Sequence, residues 1–389
     1  MWSGFTDNRD RIPEGIRLLQ MMDDLYLFGN SVYAENVYKR LNGWNVDIQG
    51  VIVSNKYYRE GISFHGLEVL AFGELKEQKI NLIAGYNIMK HEELNDILLT
   101  SENVNEIYYL DGMEAFMDGM RLRKNIILID DYYKILLARE LDYSYFQEHY
   151  NEFVRTYDWL ADEKSRKTME CYLSGHIEVK GWPMLPVWKE NDVEKQYFPD
   201  DIVRLTQHEV FVDCGAFTGD TLEIFCRRVD TFRKYYALEP DSMRFEELKS
   251  TIQRNCDKGD IVHLPIGVSD KKGRVDFSRS SAGCGQIRYD NAAVDDYESI
   301  ELNKLDNLID EDEKVTFIKM DIEGEELPAL WGAENIIRRD KPCLAICVYH
   351  KREDLITIPQ YIKGLVPEYQ IFLRAHWPSA TEVVLYCIC

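Results

Sequence analysis

One segment of the chain combines the residue types that a nucleoside-binding turn requires. The apolar residues 210–212 are followed by Asp213 and by two glycines, Gly215 and Gly219, before a helix-forming run begins. Small residues let the backbone come close to a ligand, and the free N–H groups at the start of a helix attract polar groups of that ligand. Twenty residues after Gly219, Glu239 ends a second apolar stretch, where a carboxylate can bind both hydroxyls of a ribose. Together these features predict a nucleoside cofactor.

The spacing of the turn decides which nucleoside cofactor is expected. A dinucleotide-binding turn would carry glycines at positions 217 and 220, where the chain has Phe217 and Asp220. Asp213 would repel a diphosphate but attract the amino-acid end of S-adenosylmethionine. We therefore predict S-adenosylmethionine, while a capping role for Asp213 and a solvated acidic loop at Glu239 stay open. The predicted cofactor-binding residues are Asp213, Gly215, Ala216, Phe217, Thr218, Gly219, Glu239, Pro240 and Gly267.

A second group of charged residues marks the reacting end of the expected cavity. Lys319, Asp321 and Glu323 alternate along an apolar strand, so a period of two places them on one face. Three charges of mixed sign at a strand end indicate a functional cluster, although an internal ion pair of Lys319 with either acid would give the same pattern. His350 follows the next predicted strand, where it could accept a proton from a hydroxyl group or be purely structural.

These residue types suggest specific roles. We predict Asp321 or His350 as the catalytic base, Glu323 as the residue that orients its partner, and Lys319 as the residue that sets the local charge. Asp321, Glu323 and His350 could also hold Mg²⁺ or Mn²⁺, but the sequence does not show that they converge, and no metal is predicted. The residues predicted to line the acceptor pocket are Tyr349, His376 and Trp377.

The alternation of apolar strands and helical segments predicts an α/β protein of three parts. Residues 1–125 are expected to form a smaller Rossmann-like domain. Its turn has the single glycine Gly29, so packing, dimerisation or acceptor recognition is expected, and a nucleotide or sugar-nucleotide site stays open. Residues 126–200 predict a helical bridge, in which an aromatic loop at 196–199 could cover the cofactor or pack on the following domain. The strands expected in the first part are residues 25–28, 46–53, 80–84 and 106–110.

Residues 201–389 are predicted to contain five parallel strands followed by an antiparallel pair. The last two strands, 369–373 and 382–388, are joined by a segment short enough for antiparallel pairing. This order describes the Rossmann-like sheet of class I methyltransferases. The ends of the parallel strands are expected at Asp213, Glu239, Gly267, Asp321 and Tyr349.

The composition excludes several classes of partner. The chain of 389 residues carries 46 basic and 68 acidic residues, which gives a net charge of −22. Nucleic acid and anionic membranes require a positive surface, so neither is expected as a main partner. The nine cysteines contain no CxxC pair and lie mostly in apolar runs, as expected for thiols in a reducing cytosol. Neither a signal peptide nor a membrane span is apparent, so a cytoplasmic protein is predicted.

Residues 195–389 resemble the FkbM family of S-adenosylmethionine-dependent methyltransferases. The sequence FIKMDIEGEE at 317–326, followed by LWGA at 330–333, resembles the family signature iKiDvEGaE…LkGa. The sequence FVDCGAFTGD at 211–220 resembles the cofactor loop of the family, and residues 305–306 resemble its Leu-Asp step. Further stretches resemble a subgroup in which a second α/β domain precedes the methyltransferase; these are residues 348–350, 353–355 and 373–374.

The resemblance implies methyl transfer, usually to oxygen, on a sugar, a glycolipid or polysaccharide, or another natural product. A small-molecule or glycan acceptor is then the expected partner, and a homodimer stays open. Two alternatives remain: a nucleotide-sugar-binding or scaffold protein with a vestigial methyltransferase half, and an N-methyltransferase that acts on a peptide amide. The residues that the resemblance places at the cofactor are Asp213, Gly215, Gly219 and Glu239, and those it places at the reacting end are Lys319, Asp321, Glu323 and His350.

Overall fold

The computed structural model has a mixed α/β architecture, which confirms the predicted fold class. The chain divides into two compact units, Asn8–Lys134 and Ile135–Cys389, the latter together with Met1–Asp7. The predicted domain ends at 125 and 200 stay a prediction. The structure describes residues 5, 14–75, 77–85, 101–110, 126–128, 141, 143–178, 183–188, 195–278, 286–287, 297–378 and 380–389.

The first unit is built on a largely parallel sheet. Its described elements are α1 (Glu14–Leu19), β1 (Leu25–Phe28), α2 (Val32–Gly43), β2 (Gly50–Val53), β3 (Ser63–Phe64), β4 (Leu67–Ala71), a 3-10 turn (Phe72–Leu75), β5 (Ile80–Ala84), β6 (Val104–Tyr109) and β7 (Ile126–Leu128). The strand order is β3-β4-β2-β1-β5-β6-β7, and only β3 and β4 pair antiparallel. Leu25 and Leu27 join the apolar core on one face, whereas Tyr26 and Phe28 join the core on the other. Such burial on both faces is typical of a Rossmann-like sheet.

The strands of this unit differ from the sequence prediction in their bounds and in their number. The strand expected at 46–53 begins only at Gly50, because the N–H of Val46 donates to the carbonyl oxygen of Leu41 and closes helix α2 instead of pairing in the sheet. β7 lies beyond the predicted domain end at residue 125 and pairs with β6. The described sheet of the first unit therefore contains three strands, β3, β4 and β7, that the sequence pattern did not indicate.

The single glycine after β1 has a packing explanation. The φ of Gly29 is +118°, and a Cβ there would lie 2.6 Å from the carbonyl oxygen of Gly85. Only glycine tolerates both the backbone conformation and this approach of the chain that follows β5. Packing of the two strand ends is sufficient to account for the residue type.

The second unit contains the predicted sheet of five parallel strands and an antiparallel pair. Its strands are β8 (Val210–Cys214), β9 (Lys234–Leu238), β10 (Asp260–Leu264), β11 (Gly267–Val268), β12 (Gly273–Ser278), β13 (Gln286–Ile287), β14 (Tyr297–Asn303), β15 (Phe317–Met320), β16 (Cys343–Cys347), β17 (Gln370–Ala375) and β18 (Val383–Ile388). The main sheet has the order β10-β9-β8-β15-β16-β18-β17, with β18 antiparallel to both of its neighbours. This order confirms the Rossmann-like methyltransferase sheet.

A second, four-stranded sheet with the order β11-β14-β12-β13 was not predicted. It also corrects the expected end of the third parallel strand, which was placed at Gly267. β10 ends at Leu264, because Pro265 has no N–H to continue the hydrogen-bond ladder. Gly267 instead begins β11, which pairs with β14 in the smaller sheet.

Buried aromatic side chains hold the main sheet together beneath the strand ends. The ring of Phe211 lies 4.7 Å from that of Phe317 and 5.2 Å from that of Phe225. Phe198, from the aromatic loop at 196–199, packs 5.8 Å from Phe211 and 5.7 Å from Phe317. Large buried rings of this kind contribute strongly to core stability, so the loop is fixed against the two central strands.

The helices of the second unit cover the sheet and one of its edges. They are α3 (Tyr143–Glu148), α4 (Tyr150–Trp159), α5 (Glu163–Ile177), α6 (Asp220–Arg228), α7 (Phe245–Asn255), α8 (Leu305–Leu308), α9 (Glu326–Trp331), α10 (Glu334–Asp340) and α11 (Asp354–Leu365), with a 3-10 turn at Ser242–Arg244. At the edge strand β17, the N–H of Leu373 donates to Ser165 at 2.9 Å, and Arg374 pairs with Asp162 at 2.6 Å. Within the described ranges, every helix is too short or too polar to cross a lipid bilayer.

Candidate active site

A cavity of about 290 Å³ lies at the carboxyl ends of β8, β9, β15 and β16. Open α/β sheets bind ligands at this edge, because the loops that follow parallel strands meet there. The predicted site residues that line the cavity are Gly215, Phe217, Glu239, Pro240, Gly267, Lys319, Asp321, Glu323, Tyr349 and His350.

A fully buried ion pair ties the glycine turn after β8 to strand β15. The Nζ of Lys319 lies 3.0 Å from Oδ1 of Asp213 and donates to the carbonyl oxygen of Gly215 at 2.6 Å. The hydroxyl of Tyr235 donates to Oδ2 of Asp213 at 2.5 Å. Burial lowers the pKa of Lys319, but the charges of Asp213 and Asp321 raise it above its usual range, so the ammonium is retained. Asp213 is completely buried and does not line the cavity; it holds the turn in place.

The close approach of the same turn to β15 also depends on glycine. The φ of Gly215 is +84°, and a Cβ there would lie 2.0 Å from the carbonyl oxygen of Asp321. No other residue type fits this position without moving the backbone. The turn and the end of β15 therefore form one rigid wall of the cavity.

The carboxylate of Glu239 is fixed at the end of β9 by two backbone donors. Its Oε2 accepts from the N–H of Phe217 and its Oε1 from the N–H of Asp241, each at 2.8 Å. Burial raises the pKa of Glu239 to about 7 in spite of these two donors. Each oxygen keeps a lone pair, so the group can still accept hydrogen bonds from a ligand in the cavity.

His350 is surrounded by three carboxylates. Its Nδ1 lies 3.0 Å from Oε1 of Glu326, and its Nε2 lies 3.6 Å from Oδ1 of Asp321 and 3.6 Å from Oε2 of Glu323. Burial lowers the pKa of His350, but these negative charges outweigh burial and raise it to about 10. In this arrangement the ring is protonated at neutral pH, and it could serve as the predicted base only after it loses that proton.

Two tyrosines and a second carboxyl group lie beside Asp321, at the predicted reacting end of the cavity. The hydroxyl of Tyr197 donates to Oδ2 of Asp321 at 2.7 Å, and the hydroxyl of Tyr349 lies 3.3 Å from Asp321 and 3.3 Å from Glu382. Gln196 donates to the same oxygen of Glu382 at 2.6 Å. Despite burial, neighbouring positive charges lower the pKa of Asp321, whereas burial and the charge of Asp321 raise the pKa of Glu382 to about 7. Glu382 is therefore the stronger base of the two.

Some predicted site residues lie outside the cavity lining: Asp213, Ala216, Thr218, Gly219, His376 and Trp377. Thr218 and Gly219 shape the turn, since the carbonyl oxygen of Thr218 accepts from Thr251 at 2.8 Å and Gly219 directly precedes α6. His376 is 2% exposed, and its Nε2 lies 2.7 Å from the hydroxyl of Tyr386. The structure does not bring His376 and Trp377 together with the other predicted residues.

Left-handed backbone conformations concentrate around the cavity. Among the non-glycine residues with positive φ, four line it: Tyr197 (68°), Phe217 (48°), Glu323 (57°) and Glu382 (54°). Each such conformation costs on the order of 1–3 kcal/mol and persists only where the surrounding structure enforces it. Their concentration at one cavity is an independent indication of a functional site.

The structure adds lining residues that the sequence analysis did not assign to the site. They include Tyr197, Asp220, Asp241, Phe277, Ile300, Glu325 and Glu382. Phe277 and Ile300 come from β12 and β14, whose alternation of apolar and polar residues was a readable signal. Glu382 directly precedes the apolar strand β18. Because β18 runs antiparallel to β16, its start lies at the same edge of the sheet as the acids that end the parallel strands. Tyr197 belongs to the aromatic loop, which lines the cavity through this residue and packs in the core through Phe198.

The comparison with protein families bears on the second unit. Residues 213–371 match the family model of the methyltransferase FkbM domain. This match confirms the family resemblance that the signature at 317–326 predicted. No curated protein matches the chain.

Among solved structures, the methyltransferase FkbM from Methylobacillus flagellatus KT is 23% identical to this chain, with a TM-score of 0.62. The match covers 97% of this chain and 94% of that one, and at this identity it shows the fold alone. An rRNA methylase from Streptococcus thermophilus is 14% identical, with a TM-score of 0.31, and the match covers 51% of this chain and 90% of that one. The N-terminal domain of human METTL16 in complex with SAH is 12% identical, with a TM-score of 0.29, and the match covers 51% of this chain and 65% of that one. These two similarities are too low to carry an argument.

The ion pair between Asp213 and Lys319 yields a stability prediction. Replacing one partner leaves the other charge buried without compensation, so Asp213→Asn or Lys319→Met is expected to cost about 3–5 kcal/mol of unfolding free energy. The double variant should recover part of this loss, because no unpaired charge remains. Urea unfolding of the four proteins measures these differences. A loss of less than about 1 kcal/mol of unfolding free energy in the single variants is typical of a surface pair. That result would contradict the assignment of Asp213 and Lys319 as a buried ion pair.

Proposed function

Because residues 213–371 form an FkbM methyltransferase domain, we propose that the chain transfers a methyl group from S-adenosylmethionine to a hydroxyl oxygen of its acceptor. The acceptor class is a sugar, a glycolipid or polysaccharide, or another natural product. One observation carries the proposal: a single cavity has a backbone-anchored carboxyl group, Glu239, at the end of β9 and a second carboxyl group with a raised pKa, Glu382, before β18.

The cofactor occupies the part of the cavity formed by the glycine turn and β9. Glu239 accepts hydrogen bonds from the two ribose hydroxyls, and the turn at Gly215 lets the backbone approach the amino-acid end. Phe277 and Ile300 offer apolar surface within the same cavity. The acidic side chains that line the cavity attract the positively charged sulfonium. The charge of Lys319 in the same lining is already balanced by the buried carboxylate of Asp213.

The chemical step requires alignment and the removal of one proton. The sulfonium is itself a reactive methyl donor, so the protein has to hold the acceptor oxygen in line with the methyl group. Glu382 takes the hydroxyl proton, because a carboxyl group with a pKa near 7 is the best matched base at neutral pH. The oxygen then attacks the methyl carbon, the carbon–sulfur bond breaks, and S-adenosylhomocysteine leaves. Asp321 fixes Tyr197 and Tyr349 at the reacting end.

Cofactor binding is tested by calorimetric titration with S-adenosylhomocysteine. The wild-type chain is expected to bind, and Glu239→Ala should weaken the affinity about tenfold or more, because two charge-assisted hydrogen bonds to the ribose are lost. Glu246→Ala is the matched control, since Glu246 is 90% exposed on α7 and should leave the affinity unchanged. Absence of binding by the wild type, or equal binding by Glu239→Ala, would contradict the cofactor assignment.

The raised pKa of Glu239 predicts a pH dependence of this affinity. Below about pH 7 the carboxyl of the free protein is protonated, whereas the ribose hydroxyls donate to the ionised form. Binding therefore releases a proton, and the affinity should rise about tenfold between pH 6 and pH 8 and level off above that range. Glu239→Gln removes the titrating group and should flatten the curve. Titrations across this range check the sign, and a wild-type affinity that falls with pH would contradict it.

The acceptor class and the base are tested together by methyl transfer. A panel of sugars, glycolipids and peptides is incubated with isotopically labelled S-adenosylmethionine, and the products are located by mass spectrometry. Label is expected on hydroxyl oxygen, and Glu382→Gln should lower kcat about 100-fold or more while the affinity for S-adenosylhomocysteine stays unchanged. Glu246→Gln serves as the control. Label on a peptide amide, or full activity of Glu382→Gln, would overturn the corresponding part of the proposal.

A further inference from the structure

One ring nitrogen at the reacting end faces two carboxylates across a gap. The Nε2 of His350 lies 3.6 Å from Asp321 and 3.6 Å from Glu323, beyond hydrogen-bond distance, and it makes no other polar contact among the described residues. The side chain of His350 is 3% exposed, whereas those of Asp321 and Glu323 are 23% and 24% exposed toward the cavity. This nitrogen faces the cavity between two acids without a close hydrogen-bond partner, so the gap can take a further group.

The other face of the same ring is held in place. Nδ1 of His350 lies 3.0 Å from Oε1 of Glu326, and that oxygen also accepts from the N–H of Ile322 at 2.9 Å. Glu326 is completely buried, and its Oε2 has no hydrogen-bond partner among the described residues. A carboxylate that accepts from Nδ1–H fixes the ring orientation and directs Nε2 outward, which is the usual support of a metal-binding histidine. A metal ion that binds there takes the place of the Nε2 proton.

We propose that Asp321, Glu323 and His350 bind a divalent cation of the Mg²⁺ or Mn²⁺ class, with Glu326 as the positioning residue behind the histidine. Oδ1 of Asp321 and Oε2 of Glu323 each lie 3.6 Å from Nε2 of His350, so small side-chain movements bring the three ligand atoms around one ion. Asp321 and His350 also belong, with Glu326, to a group whose potential ligand atoms lie within 4.8 Å of one another. Two carboxylates and one imidazole, without a thiolate, suit a hard divalent ion. Three protein ligands also leave coordination positions for an acceptor.

An organic ammonium group is a less suitable occupant of this gap than a metal ion. The two carboxylates attract either cation, but a metal ion can displace the Nε2 proton and bind the nitrogen lone pair, whereas an ammonium group cannot. A metal ion satisfies the nitrogen and both carboxylates at once. The excess of acidic residues in the cavity lining compensates a dication as well.

The role of the cation rests on the proposed function, although its binding does not. Coordination of the acceptor hydroxyl lowers the pKa of that hydroxyl. The O–H bond breaks and its proton passes to Glu382, while the oxygen forms a bond to the methyl carbon. The carbon–sulfur bond breaks at the same time, and its electron pair leaves with S-adenosylhomocysteine. Charge and atoms balance without an oxidant or reductant.

Binding is measured with Mn²⁺ and the EDTA-treated, re-dialysed full chain, because the electron paramagnetic resonance signal of free Mn²⁺ decreases as the ion binds. The wild type is expected to bind one Mn²⁺. His350→Ala and Asp321→Asn should weaken the affinity at least about tenfold, and Glu326→Gln about 10–100-fold through loss of the ring orientation. Asp220→Asn is the charge-matched control: this carboxylate also lines the cavity but should alter the affinity by less than about threefold, through screened electrostatics only.

Two further readouts separate the possible failures. Unfolding curves and S-adenosylhomocysteine binding establish that each variant is folded. Wild-type protein that leaves Mn²⁺ free, or His350→Ala that binds it as tightly as the wild type, would overturn the cation site. Retained S-adenosylhomocysteine binding in EDTA together with either of these results would leave the proposed methyl transfer intact. Loss of S-adenosylhomocysteine binding in the presence of Mn²⁺ would instead contradict the proposed function.

Discussion

The site depends on one buried ion pair, between Lys319 on β15 and Asp213 at the end of β8. Removing two charges from water costs free energy. Hydrogen bonds from the hydroxyl of Tyr235 and to the carbonyl oxygen of Gly215 offset part of this cost. The lysine therefore spans from strand to turn and fixes the backbone next to the end of β15. Because Gly215 packs directly on the carbonyl of Asp321, the same contact that shapes the glycine turn also sets the position of the end of β15.

The sequence predicted those features that are encoded by neighbouring residues. An apolar strand followed by an acid and a glycine turn is a local signal, so the turn at Gly215, the anchor at Glu239 and the strand end at Asp321 lie where the pattern indicates. The five parallel strands followed by an antiparallel pair were likewise predicted from the alternation of elements. The predicted end of the third parallel strand, Gly267, was wrong. The strand ends at Leu264, because Pro265 has no N–H to continue the hydrogen-bond ladder.

The remaining features depend on tertiary contacts that no local pattern encodes. Asp213 has the sequence context of a ligand-binding acid, yet its partner Lys319 comes from a strand more than a hundred residues later and draws the carboxylate into the core. Tyr197 and Glu382 lie far apart in sequence but meet beside Asp321 and Tyr349 through the fold. The protonation of His350 could not be foreseen either, since it reflects three carboxylates from different positions of one loop and helix.

The central claim is that one cavity orients a sulfonium nucleoside between the acid of β9 and the charged groups that follow β15 and β16. The most direct measurement is a crystal structure of the full chain with S-adenosylhomocysteine bound. The account predicts both ribose hydroxyls within hydrogen-bond distance of Glu239 and the sulfur facing the space beside Asp321 and Glu382. A nucleoside bound elsewhere, or one whose ribose is remote from Glu239, would contradict it.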